Sequence, residues 1–223
     1  MGEAQKGIPD VQPLEHAEPR WPAVLVLIAL GGLYAALPSS LLVGTPRWLI
    51  LVVVLVLLVP AVISHRQGMH SLNQVLGYIL NGVVTAGMIW SLALLIRALP
   101  TQRATPQELL RSAAALWVSN ILVFASWYWR LDAGGPHQRA LRPGHADGAF
   151  LFPQMTMKRE ARMAEAWSPT FVDYLFLAFN TSTAFSPTDS PVLSRWAKTL
   201  MMLQSMISLL VIALLAARAV NIL

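Results

Sequence analysis

FVDYLFLAFNTSTAFSPTD, residues 171–189, is an apolar run that breaks at Pro187 and carries Asp173 and Asn180 within it. A helix that crosses a bilayer needs about 20 consecutive apolar residues, and this run is shorter. A second apolar block, Thr199 to Ala217, follows almost at once and is long enough. A short helix, a polar bend and then a long helix is the pattern of a re-entrant loop. Non-helical backbone is tolerated at membrane depth only where protein buries it or water lines it. The hydroxyl and amide groups at the end of the run therefore make it the first candidate for a functional site.

Working outward, four more apolar blocks stand out: Ala23–Val43, Trp48–Ser64, Val75–Ile96 and Ser112–Trp129. The first two are joined by Gly44-Thr45-Pro46-Arg47, a turn signal that predicts a tight antiparallel hairpin. Indole rings favour the headgroup level. Trp21, Trp48, Trp127, Trp129 and Trp196 flank the blocks and are expected there. The expected fold is an all-α integral membrane protein with five transmembrane helices plus a short re-entrant helix before the last span. The chain divides into a polar tail (1–20), a helical hairpin (21–64) and two further spans (65–129). An extramembrane loop (130–169) and a pore-like module (170–223) complete it.

Composition agrees. Of the 223 residues, 56% are hydrophobic and 12% charged, against about 25% charged in a soluble domain. The net charge is +5. The Lys and Arg lie in loops beside apolar spans, where lipid headgroups and membrane orientation account for them without nucleic acid. There is no cysteine. The tail 1–20 carries Glu3, Asp10, Glu15 and Glu18, unlike the basic start of a secretory signal, so the first block reads as a retained span.

Motifs for chemistry are missing. The five histidines, His16, His65, His70, His137 and His145, lie outside the blocks and share no metal-ligand spacing. No nucleophile–base set and no glycine-rich phosphate cradle is present, so neither an enzyme nor a cofactor or metal is expected. Asn81 and Asn120 lie in the middle of two blocks. They read either as ligand contacts or as amides bonding between helices, the plainer reading. Gly82, Ala86 and Gly87 form a small-residue stripe suited to close helix packing. Asp173, following Pro169, is placed to cap the short helix. The loop 130–169 reads as an ordered cap or a mobile linker, with residues 158–165 (KREARMAE) as a surface helix.

The candidate site is the polar bend: Thr181, Ser182, Thr183, Ser186, Thr188 and Asp189. Here the part from Phe171 to Leu223 resembles the pore module of potassium channels, with its short helix, Thr-rich filter strand closing on Asp, and inner helix. The threonines and Asp189 match. Ser186 and Thr188 replace the filter glycines and Pro187 the tyrosine. Filter carbonyls align because glycine permits backbone angles that other residues avoid, so potassium selectivity is not expected. The chain also resembles a family of uncharacterised bacterial multi-pass membrane proteins. That likeness lies in Tyr128–Pro136 (YWRLDAGGP), Phe150–Gln154 (FLFPQ) and Ala184–Asp189 (AFSPTD), and it implies a cell-membrane location, in the bacterial inner membrane.

Two functions follow as expectations. One is an oligomeric, ion-channel-like pore protein, with the bilayer, further copies of the chain and an inorganic ion as partners. The alternative is a non-conducting membrane scaffold or accessory subunit. With five spans, Arg47, Arg97, Arg103, Arg111 and Arg218 fall on one side and the remaining Lys and Arg on the other, with the N-terminus and the long loop. The positive-inside rule places that richer side in the cytoplasm. A potassium-channel-like pore loop would face outward, so the orientation stays open.

Overall fold

The structure, a computed structural model, describes residues 70–98, 105–140, 148–156, 167–184 and 190–220, together with Gly31, Val52, Val56 and Val59. The expected hairpin 21–64 as a unit, the helix at 158–165 and residues 185–189 lie outside the described residues. Among those described, the elements are α1 (His70–Ala98), α2 (Pro106–Leu131), a 3₁₀ turn (Asp132–Gly134), α3 (Pro136–Ala140), α4 (Pro153–Thr156), α5 (Phe171–Ala184) and α6 (Arg195–Val220). No β-strand occurs among them, only an isolated antiparallel bridge between Phe150 and Val192.

Three helices are long and apolar enough to cross a membrane, over Leu72–Arg97, Pro106–Gly134 and Arg195–Ala217. They include the third, fourth and fifth expected apolar blocks, and each begins three to six residues earlier than its block. The start of α2 shows how. Thr105 accepts a hydrogen bond from the Glu108 N–H at 3.3 Å, and the Glu108 carboxylate accepts from the Thr105 N–H at 2.9 Å. With Pro106 in the first turn, this is a complete capping box.

α2 is the central element and packs against α1, α5 and α6. From Ser119 onward it is buried almost all round, with Ile121, Val123, Phe124, Ala125, Tyr128 and Trp129 in the core. Between helices in a membrane this packing gains through close van der Waals contact and interhelical hydrogen bonds rather than through removal of apolar surface from water. Its hydroxyls do not waste that apolar environment: Ser112 and Ser119 donate to the carbonyls of Glu108 and Ala115 in their own helix.

At Gly82 and Gly87 of the expected packing stripe no described neighbour lies close, and the hairpin 21–64 lies outside the described residues. A Cβ built on Gly82 or Gly87 meets no described atom within 4 Å. The close approach is one turn earlier, at Gly77, where a Cβ would collide with the Arg130 guanidinium lying across α1. Two of the indoles expected at the headgroup level also make contacts between elements. Trp129 is buried edge-on against Phe171, with ring centroids 5.9 Å apart, and Trp127 donates to the Thr85 hydroxyl at 2.9 Å. They sit where helices meet, because the chain continues past α2 into a folded cap rather than into solvent.

Candidate functional site

α2 ends by folding back on itself. Ala133 (φ 50°), Gly134 (φ 81°) and Gly135 (φ 93°) all have positive φ, so three successive residues reverse the chain. Pro136 then starts α3. Arg139, 5% exposed, comes back beneath the end of α2 and donates to the carbonyls of Trp129 at 2.7 Å and Asp132 at 2.9 Å. The Trp129 carbonyl is among the last four of the helix, which have no partner within it, and the Asp132 carbonyl also accepts from the Gly135 N–H at 2.9 Å.

Asp132 is fully buried, and its carboxylate is committed on both oxygens. One accepts the Ala149 N–H and the other the Tyr174 hydroxyl at 2.6 Å. The Arg139 guanidinium lies 5.0 Å from the Tyr174 ring centre. A single acid thus ties together the end of α2, the loop at Ala149 and the first turn of α5. Around it Phe150 meets Tyr128 (5.3 Å), Tyr174 (6.2 Å) and Trp196 (6.1 Å). Phe152 meets Tyr174 at 5.4 Å and Trp167 at 5.7 Å. Residues 149–151 also pair with 191–193: Leu151 N–H donates to Pro191 and Leu193 N–H to Ala149. The described parts of the 130–169 loop are therefore an ordered cap.

This cap defines the path of α5. The first turn of α5 is at the cap, through Tyr174 and Phe171. Thr170 precedes it, and the Asp173 carboxylate reaches back to the Thr170 N–H at 2.7 Å and its hydroxyl at 3.0 Å. Asp173 therefore serves as the third-residue partner of a cap rather than as the N-cap itself. From there the 14 residues of α5 extend about 20 Å. Ser182, near the far end, lies beside Asn120, halfway along α2. By Pro191–Leu193 the chain is back at the cap, and Trp196 of α6 touches Phe150. Both ends of the segment lie at one end of the bundle.

Between α5, α2 and α6 runs a buried polar seam centred on Gln204, which is fully buried. The Gln204 amide donates to the Ala178 carbonyl at 2.7 Å and the Ser182 hydroxyl at 2.8 Å. It accepts from the Tyr128 hydroxyl. Asn120 donates to the Gln204 carbonyl at 3.3 Å and to the Ser182 hydroxyl at 3.5 Å. Ser208 donates to the Ser182 carbonyl at 2.7 Å and accepts from the Trp117 indole at 3.1 Å. Asn81 lies apart from this seam, between α1 and α2, and accepts from the Ser126 hydroxyl at 2.9 Å.

Of the expected site residues, Thr181 and Ser182 are buried in this seam, with the Thr181 hydroxyl donating to Leu177 in its own helix at 2.8 Å. Thr183 is exposed on the opposite side of α5 and donates to Phe179 at 3.0 Å. Ser186, Thr188 and Asp189 lie outside the described residues. The seam's hub, Gln204, and the cap's hub, Asp132, are not on the candidate list. Gln204 was visible as a lone amide in the last apolar block, and Asp132 as the acid of YWRLDAGGP. Their partners come from other elements and leave no local trace.

Comparison of the chain with protein families, curated proteins and solved structures finds no match. Among the described residues no group of three or more His, Cys, Asp or Glu is placed to hold a metal ion.

Proposed function

We propose that the protein is a multi-pass membrane protein of channel-like design, in which α5 is a re-entrant helix and several copies together enclose a path for a small inorganic ion. One observation supports this reading: α5, too short to cross a membrane, reaches about halfway along α2, residues 191–193 are back at the cap, and a long apolar helix follows. The channel-like likeness of the 171–223 segment points the same way. Potassium selectivity is not part of the proposal, because the chain has no glycine after Gly148.

Any path avoids the face of α5 that carries Thr181 and Ser182, which α2 and α6 seal. We place it instead beyond the end of α5, where the sequence holds Ser186, Thr188 and Asp189. The sealing of Ser182 by Gln204 is also the observation that favours a second reading, a non-conducting scaffold or accessory subunit in which α5 is an internal brace. Cation flux into liposomes containing the purified protein separates the two. The channel reading expects flux above that of empty liposomes and a fall in Asp189→Asn, since a carboxylate at a pore mouth concentrates cations. Equal flux in wild type, variant and empty liposomes leaves the scaffold.

A further inference from the structure

α5 has two unlike faces. Its inner face is satisfied by the seam. Its outer face presents Val172 (65% exposed), Phe176 (61%) and Phe179 (46%), with Thr183 below them and Asn180 beside them. The Thr183 hydroxyl is used within the helix. The Asn180 carbonyl accepts from Thr183, but the Asn180 side-chain amide bonds to no described residue. Asn180 lies nine residues beyond Phe171, about 14 Å in from the cap. At that depth hydrocarbon provides no partner for an amide, and leaving one unpaired is costly.

We infer that the outer face of α5, centred on Asn180, is a contact between two copies of this chain. This rests on the reading of α5 as a helix at membrane depth. A primary amide carries both a donor and an acceptor, so the same residue of a second copy is its natural complement, and Phe176 and Phe179 supply apolar area around it. The apolar runs 23–43 and 48–64 of the chain's own sequence hold no amide and no charged side chain, only the hydroxyls of Tyr34, Ser39, Ser40 and Ser64 and the Trp48 indole, so the amide of a second copy is the fuller match for Asn180. Amide pairing of this kind joins membrane helices.

The absence of native cysteine allows a direct test on the full chain in native membranes. Thr183→Cys places a thiol on this face and leaves Asn180 intact. Oxidation is expected to give a disulfide-linked dimer. The link is expected to be lost, by tenfold or more in yield, when Asn180→Leu is added, and kept with Asn180→Gln. Met206→Cys, 69% exposed on α6, is expected to link little. Equal linking at Thr183→Cys and Met206→Cys, or linking indifferent to Asn180→Leu, overturns the inference. So does a wild-type protein that is monomeric by light scattering. Cysteines at Thr170 and Ser190 that label from opposite membrane sides would overturn the re-entrant reading itself. Labelling from one side with an oligomeric protein that does not link through Thr183→Cys would overturn only the contact, whereas a monomeric protein would overturn the multi-copy path as well.

Discussion

Gly135 and Ala133 sit two residues apart in the same reversal, and substitutions at them are expected to act in opposite directions. Gly135 has φ 93° and ψ 174°, a region essentially closed to residues with a Cβ. An added Cβ would also lie 2.9 Å from the Arg130 carbonyl. Gly135→Ala is expected to cost about 2–3 kcal/mol of stability. Ala133 already bears a Cβ at φ 50°, a left-handed conformation that costs an L-residue about 1–2 kcal/mol. Ala133→Gly is expected to stabilise by up to about 1 kcal/mol once the extra freedom of unfolded glycine is subtracted. Denaturant titration followed by tryptophan fluorescence measures both. The same sign for both would mean that the reversal does not set stability. Asp132 depends on that reversal, since a shift of the turn moves its carboxylate off Ala149 and Tyr174.

At the scale of elements, α5 is held to α2 and α6 by the Gln204 and Asn120 amides and the Ser208 hydroxyl as well as by packing. Gln204→Leu keeps the volume but strands the Tyr128 hydroxyl in the core, and is expected to cost about 1–3 kcal/mol. Tyr128→Phe removes the stranded group. The double variant is therefore expected to cost less than the two singles added together, because both change one hydrogen bond. A double-mutant cycle on unfolding in mixed micelles checks this, and additive losses would show that the bond contributes nothing. The helices themselves are legible in the sequence because hydropathy reads apolar length directly: the middles of α1, α2 and α6 fall in the expected blocks. Their ends are less so. Thr105 and Glu108 extend α2 through a cap that a hydropathy window scores as polar, and Arg195 and Lys198 likewise hide the first turn of α6. The short length of α5 is also legible, from Pro169 to Pro187. The roles of Gln204 and Asp132 are not, because each is defined by partners more than 15 residues away.

For the whole molecule, the cap is the feature that bears on topology. Residues 149–151 bond to 191–193, and Phe150 touches both Tyr174 and Trp196, so the entry to α5 and the start of α6 are fastened to one surface. A chain in which α5 crossed the bilayer would have to place Thr170 and Ser190 on opposite faces and break this pairing. Cysteines introduced singly at Thr170 and Ser190 are therefore expected to react with an impermeant maleimide from the same side of oriented vesicles. The reaction at position 190 is expected to be the slower, since Ser190 is 7% exposed whereas Thr170 lies at the surface. Loosening the cap with Asp132→Asn keeps the size of the side chain but removes the charge that draws the Tyr174 hydroxyl and the Ala149 N–H together. Hydrogen bonds to charged groups are worth about 1.5–3 kcal/mol. If the cap holds this end of the bundle shut, that variant speeds labelling at position 190 without changing the side from which it occurs. Reaction from the other side at either position would mean that α5 crosses, and the common surface would not be the organising feature of this protein.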